Sequence, residues 1–352
     1  MLTPYPLRLA PFFRDYLWGG RKLQTALGKN LPADGAWAES WEIVDHAEHS
    51  SQILNGPLTG ITLRQLSQTH PTWLHGGSTS GEAASGEGAS GEALPLLLKY
   101  LDCQRVLSVQ VHPDDAFAQR MDPPDLGKTE AWYIIAAEPD AVLYAGLNSG
   151  VAPSDLRAAL AAGTVEQCLH AIHPRPGDCV FIPAGTVHAL GAGLLVAEIQ
   201  QASNTTFRLF DWNRVDAQGQ PRELHVEQSL EVIDFSSGPR NLQTAQTLRE
   251  FSGGVVHQRL VECDKFVLDR LQSGARSSTA LPLAADARCH LLTVPVGTAT
   301  IAWDDAVASG VSGAPSKTER LDTGQSLLLP AAMPPVSVLL EPNSTLLDMF
   351  VP

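Results

Sequence analysis

Residues 177–188 read GDCVFIPAGTVH, a G-x5-P-x-G-x2-H pattern that leaves the backbone few choices. Gly177 permits a tight turn into a strand, and Val180 to Ile182 supply a short apolar strand. Pro183 and Gly185 end that strand in a turn that aims His188 back toward the interior. From Leu194 the run LLVAEIQ resumes as a second, mostly apolar strand of the buried kind. Taken alone, the pattern also fits a hydrogen-bonded histidine in an ordinary hairpin. The first half of it recurs: Gly324 to Pro330 repeats G-x5-P, with Pro335 where the first copy has His188. Two units of one kind are therefore expected, the second metal-free.

A chain of 352 residues is long enough for two domains with their own cores. Hydrophobic residues make up 44% and charged residues 18%, the balance of a packed protein. Apolar runs fall well short of the roughly 20 residues that span a bilayer, so no membrane association is expected. The opening MLTPYPLRLAPFFRDYLWGG lacks a basic segment followed by an uninterrupted apolar one, so no signal peptide is expected either. Five scattered cysteines, odd in number and without C-x-x-C spacing, suit reduced thiols in the cytoplasm. A formal charge of -14 disfavours nucleic acid as a partner. It equally opposes any anionic ligand, which would need cations placed locally.

Along the chain, ESWEIVDH reads as a strand and TLRQLSQTHPTWL as a short helix stopped at Pro71. Residues 76–93, GGSTSGEAASGEGASGEA, offer no apolar side chain larger than alanine and read as a flexible low-complexity insert. LPLLLKYLD and RVLSVQVHPDD follow as strands, the second with Ser108, Gln110 and His112 on one face. Lys128 and Glu130, two apart, share a face of the next strand. Ser154 is the expected N-cap of the helix DLRAALAAG, ended near Gly163. After Arg208 come a hairpin and a helix, and then short apolar runs with turn signals over 250–352. The expected fold is mainly β: two β-barrel or jelly-roll domains with a few short helices. Residues 1–235 form the metal-binding catalytic domain and 250–352 a second, metal-free one.

Gln110, His112, Glu130 and His188 offer an amide oxygen, two imidazoles and a carboxylate on inward-facing positions. That donor set suits zinc, with charge left over to polarise a substrate oxygen. Two histidines and a carboxylate also make the facial triad of non-haem iron oxygenases, which stands as an alternative.

The G-x5-P-x-G-x2-H stretch resembles the second metal-binding motif of the cupins. More specifically, the ordered segments WGG, SWEI, LLLKYLD, LSVQVHPDD, GKTEAWYII, PAGTVHALG and EIQQASNTTFRLFDWNR resemble the type I mannose-6-phosphate isomerases. These are zinc-dependent bicupins, here in the shorter bacterial form, and the likeness runs to about residue 235. It implies interconversion of mannose 6-phosphate and fructose 6-phosphate through a cis-enediol, with one zinc per chain on Gln110, His112, Glu130 and His188. It places Arg208 as the active-site arginine, Lys128 and Glu198 near the metal, and Lys99 and Ser108 near the sugar phosphate. The partner implied is a small sugar phosphate, and the chain a monomer or weak homo-oligomer. Glu198, Lys128 and a metal-bound water remain rival bases, and Glu198 with Lys128 also reads as a structural ion pair. A non-catalytic sugar-phosphate-binding bicupin is the remaining alternative. The insert and the loosely matched C-terminal region depart from the family pattern.

Overall fold

The computed structural model describes residues 2–77, 93–215, 219–275, 280–284, 286–304 and 317–352. The insert expected at 76–93 lies outside the described residues except for Gly76, Gly77 and Ala93. The fold is mainly β with a few short helices. Among the described residues no helix is long and apolar enough to cross a membrane.

Two antiparallel sheets fill the N-terminal part. A six-stranded sheet runs in the order Phe12–Gly20, Trp37–Ile43, Leu96–Cys103, Leu194–Gln201, Glu130–Ala137, Cys179–Ile182. A five-stranded sheet runs Phe207–Phe210, Val109–Val111, His188–Leu190, Leu143–Leu147, Leu169–Ile172. The C-terminal part repeats the arrangement with a second six-stranded sheet, from Gln246–Phe251 to Ser326–Leu329, and a four-stranded one. Each of these strand orders has different strands at its two ends, so among the described residues none of the sheets closes on itself.

Side-chain alternation stacks the four sheets into layers. Leu96, Leu98 and Tyr100, with Leu195, Ala197 and Ile199, pack against Leu268, Leu291, Leu328, Leu347 and Met349. The two six-stranded sheets therefore sit back to back. Their other faces pack outward: Leu101, Trp132 and Val196 against Leu143 and Leu190, and Leu271, Leu292 and Val294 against Ile301 and Val338. Each six-stranded sheet is covered on both sides, which explains why Leu96–Cys103 and Leu194–Gln201 are buried at every position. With each fully buried leucine contributing roughly 1.5–3 kcal/mol, the joint is a core rather than a polar contact. The N-terminal segment ties across it, Leu7 and Leu328 exchanging backbone hydrogen bonds of 2.8 and 3.0 Å.

Two helix boundaries differ from the sequence expectation. The helix expected to begin at Asp155 behind a Ser154 cap is Pro153–Ala162, with Ala152 at the N-cap position. Proline suits the first helical position because its missing N–H has no partner there, and Asp155 accepts the Ala152 N–H at 2.9 Å, so the serine is not needed as a cap. Gly163, at φ 69°, closes the helix as expected. Pro71 does not merely stop the helix Leu63–Thr69; it opens another, Pro71–His75, from the same favoured position.

Strand register makes the internal repeat concrete. Ile182 and Leu329 each lie five residues after the repeated glycine; Ile182 pairs with Glu130, and Leu329 with His290. Continuing across, Glu130 pairs with Gln200 and His290 with Phe350, while two residues earlier Glu198 pairs with Lys99 and Asp348 with Asp269. His290, Asp348 and Asp269 thus stand where the first unit has Glu130, Glu198 and Lys99. Both His290 ring nitrogens are spent on carboxylates: Nδ1 lies 2.8 Å from Asp348 and Nε2 2.9 Å from Asp286. Burial alone would lower its pKa, but the two carboxylates outweigh that and lift it to about 10.

Because the folded pKa lies above the ordinary 6.5, this contribution is complete below about pH 6.5 and is lost as pH rises through about 10. Asp348→Asn should cost about 3 kcal/mol of stability in urea titrations at pH 7, since it leaves a buried imidazolium half-paired. The gap from the parent should narrow above pH 10; an unchanged gap at pH 11 would rule out the imidazolium as its source.

Candidate active site

The site lies between the first six-stranded sheet and the five-stranded sheet. On the latter, Arg208, Gln110 and His188 form one cross-strand row. On the facing sheet, Lys99, Glu198 and Trp132 form a row, with Gln200 and Glu130 in the next row on the same side. Two neighbouring short strands of the five-stranded sheet, Val109–Val111 and His188–Leu190, present Gln110 and His188 to this gap while Val109, Val111 and Ala189 pack on the opposite face.

At the centre, donor atoms of His112, Glu130 and His188 lie within 4.8 Å of one another, and all three residues are buried. His112 Nε2 is 3.5 Å from Glu130 Oε2, and His188 Nε2 is 3.4 Å from Oε1. Gln110 Nε2 is 3.2 Å from His188 Nε2; turning the amide over would present its oxygen instead. Each imidazole is oriented by its other nitrogen: His188 Nδ1 donates to Thr186 O at 2.8 Å and His112 Nδ1 to Thr205 O at 3.0 Å. This fixes the tautomer and leaves both Nε2 lone pairs facing Glu130.

Charges alternate outward from this centre. Lys128 Nζ is 3.2 Å from Glu130 Oε2 and 4.0 Å from Glu198 Oε1; Lys99 Nζ is 2.9 Å from Glu198 Oε1 and 3.9 Å from Glu39 Oε2. Trp132 Nε1 donates to Glu198 at 3.0 Å and Trp41 Nε1 to Glu39 at 2.6 Å. Burial alone would neutralise Glu130, but the Lys128 charge beside it outweighs that and holds the carboxyl well below its usual range. Burial and the Glu130 charge push Glu198 upward, with Lys99 and Lys128 opposing. Burial would lower Lys99, yet Glu198 and Glu39 raise it. Burial, reinforced by Lys128, lowers His112 to about 3, and burial also lowers His188, so both imidazoles are neutral with lone pairs free.

The donor set fits a dication. His112 Nε2 and both Glu130 oxygens are buried without an aligned hydrogen bond. Such atoms are costly unless something satisfies them, and two neutral imidazoles, a carboxylate and an amide are the ligands a borderline divalent ion takes.

Arg208 lies one strand beyond Gln110, half-buried, with Nη1 donating to Glu223 O at 2.8 Å and Nε buried without a partner. Burial and then Arg222 lower its pKa. Arg222 and Arg214 both grip Asp211, with Arg222 Nε 2.7 Å from Oδ2. These three residues line a cavity of about 710 Å3 together with Tyr16, Trp18 and Arg105. Tyr16 and Trp18 lie on the strand Phe12–Gly20, which pairs with the strand Trp37–Ile43 that carries Glu39, one end of the alternating chain.

Of the residues singled out in the sequence, Gln110, His112, Glu130 and His188 meet at the centre, and Lys99, Lys128 and Glu198 adjoin it. Ser108 is buried just before Val109–Val111. Sequence reasoning overlooked Glu39, although alternation in WAESWEI sets it beside Trp41 on one face, and an acid in a strand buried from Ala38 to Ile43 is a signal. It also overlooked Arg214, Arg222 and the Thr205 carbonyl, which carry no local signal because only the folded chain brings them near.

Fold and site together define a mainly β protein with a candidate metal centre between facing sheets. Residues 7–137 match the family model for the catalytic domain of type I phosphomannose isomerase. The mannose-6-phosphate isomerase ManA of Bacillus subtilis is 38% identical over 238 residues, 68% of this chain and 71% of that protein. The mannose-6-phosphate isomerase of Streptococcus mutans is 38% identical over 240 residues, with the same shares. A crystal structure of mannose 6-phosphate isomerase from Bacillus subtilis superposes with a TM-score of 0.82 at 30% identity, covering 98% of this chain and 99% of that one. The chain belongs to the type I phosphomannose isomerase family of enzymes.

Replacing His188 with alanine should abolish stoichiometric metal binding, measured by elemental analysis after gel filtration, while the β-sheet circular dichroism signal persists. The cores on either side of His188–Leu190 are filled from this strand by Leu190 and Ala189, which the substitution leaves in place. Unchanged metal content in the variant would remove this cluster as the centre.

Proposed function

We propose that this protein interconverts mannose 6-phosphate and fructose 6-phosphate through a cis-enediol, with one zinc ion per chain held by Gln110, His112, Glu130 and His188. The reading is carried by the two neutral imidazoles that turn free lone pairs on an ionised, unsatisfied Glu130, next to buried cations suited to a sugar phosphate. Membership of the isomerase family supports the reaction assigned. A bound zinc would supply positive charge to polarise the sugar's oxygens.

The remaining work falls to the chain. Converting the aldose moves the proton on C2 to C1 and the hydroxyl proton on O2 to O1, so that the carbonyl passes from C1 to C2. Glu198, whose proton affinity is raised by burial and by Glu130, and Lys128 are the groups able to take and return that proton. Lys99, paired to Glu198, keeps a positive charge beside it. The substrate phosphate is near doubly charged at neutral pH and meets a chain of formal charge -14. Local cations must therefore hold it, and Lys99 and Arg208, with Ser108 as a hydroxyl donor, are assigned to the sugar phosphate. The proposed compartment is the cytoplasm, and the proposed architecture a bicupin with domains 1–235 and 250–352, supported by the matched register of the two units.

Purified protein should contain zinc and isomerise fructose 6-phosphate; chelation should abolish turnover and added zinc restore it. Iron with oxygen uptake, or sugar-phosphate binding without turnover, would replace this reading. Arg208→Lys should keep the fold by circular dichroism. If the guanidinium meets an oxygen whose charge grows during the reaction, kcat should fall by about 10²- to 10³-fold. If it holds only the ground-state phosphate, KM should rise instead. Unchanged kcat and KM would remove Arg208 from the site.

A further inference from the structure

The two imidazoles at the centre are oriented in different ways. Thr186, whose carbonyl accepts from His188 Nδ1, belongs to the same tight turn as the histidine, and its own N–H is held by Pro183 O at 3.1 Å. That acceptor is fixed locally by the proline and glycine of the turn. His112 has no such neighbour. Its acceptor, Thr205 O, lies 93 residues away in the segment 203–206, which belongs to no helix or strand. A carbonyl outside the sheet ladders needs another anchor if it is to hold a ring at one angle.

Asp125 supplies that anchor. Its Oδ2 accepts from Ser203 Oγ at 2.8 Å and from Thr205 Oγ1 at 2.7 Å. Its Oδ1 accepts from Leu126 N at 2.8 Å, and His46 Nε2 stands 3.5 Å from it. Ser203 Oγ also accepts from Thr205 N at 3.2 Å, so carboxylate, serine and threonine close a small ring around the turn. Gln200 Nε2 holds Ser203 O at 2.6 Å from below. Burial would raise the Asp125 carboxyl, but His46, Thr205 and Ser203 outweigh it, so the group is ionised and its lone pairs are available. Asp125 itself lies three residues before Lys128 and five before Glu130, and its N–H bonds to Ala118 O at 3.2 Å.

We infer that Asp125 is a positioning residue for the metal centre, setting the angle of His112 through the Ser203–Thr205 turn. This rests on the metal reading above. A carboxylate that fixes a ligand's acceptor through two hydroxyls acts on the ligand's orientation and basicity without touching the ion, and loss of such support costs about 10- to 100-fold in metal affinity.

The test uses the full chain stripped of metal and titrated with zinc against a chromophoric chelator, with ¹⁵N-resolved NMR of the histidine ring N–H groups. Asp125→Ala should weaken zinc binding by about 10- to 100-fold and broaden or shift the His112 Nδ1–H resonance, leaving that of His188 in place. Thr205→Val, which keeps the carbonyl but loses the hydroxyl, should move both readouts in the same direction, and it stands in if the alanine variant does not fold. Asp125→Asn, which retains one acceptor oxygen, should fall between parent and alanine variant. Zinc affinity within twofold of the parent in Thr205→Val and Asp125→Asn, with the His112 resonance unmoved, overturns the inference and leaves the metal reading standing. A parent chain that binds no zinc overturns both.

Discussion

An ionised carboxylate with no exposed surface, Glu130, is the constraint around which the first unit is arranged. A charge in that position is tolerable only if cations and hydrogen-bond donors surround it. The facing sheets supply Lys128 directly and Lys99 through Glu198, while His112 and His188 turn lone pairs toward the same point. Every one of these groups sits on a strand or at a strand end, so their spacing is set by backbone ladders rather than by flexible loops. Of the two carbonyls that orient the imidazoles, Thr186 O is fixed by its own turn and Thr205 O by side chains.

The two units solve the same burial problem with different cations. In the second, the position of Glu130 is taken by His290, and the positive charge is an imidazolium lodged between Asp348 and Asp286. The neighbouring Asp269 is paired with Arg259 at 2.9 Å and lies 3.0 Å from His257 Nε2. An arrangement that consumes both nitrogens of its histidine within the protein has no lone pair to offer. The divergence between the halves is thus chemical, within one shared strand plan.

Much of this was legible in the sequence because it rests on period and turn chemistry. The turn at Pro183 and Gly185, the alternation that groups Gln110 with His112, and the i, i+2 spacing of Lys128 and Glu130 all follow from local rules. The stretch LLLKYLDC already read as a buried strand, though what covers its second face could not be read: a second sheet contributed by residues more than 150 positions later. Helix starts were misjudged where proline at the first position made a serine cap unnecessary. Glu39 could have been found from alternation, whereas Asp125, Arg222 and Thr205 act through contacts that no window of sequence contains. The G-x5-P repeat pointed to two units, but the replacement of Glu130 by His290 emerged only from register.

The back-to-back joint divides the C-terminal half into two regimes of sequence freedom. Leu268, Leu291, Leu347 and Met349 complete a core whose other wall carries, on its reverse side, Lys99, Glu198 and Glu130. A change of volume there would press on the strands that space those charges, although these four side chains lie against the opposite face of the sheet. The outer four-stranded sheet, packed on its own partner through Ile301, Val338 and Leu340 and tied to the N-terminal segment by Arg8 and Glu319 at 2.6 Å, lies one layer further from those strands. The C-terminal half therefore carries a packing requirement along the one face it shares with the site-bearing sheet, a constraint on volume rather than on chemistry.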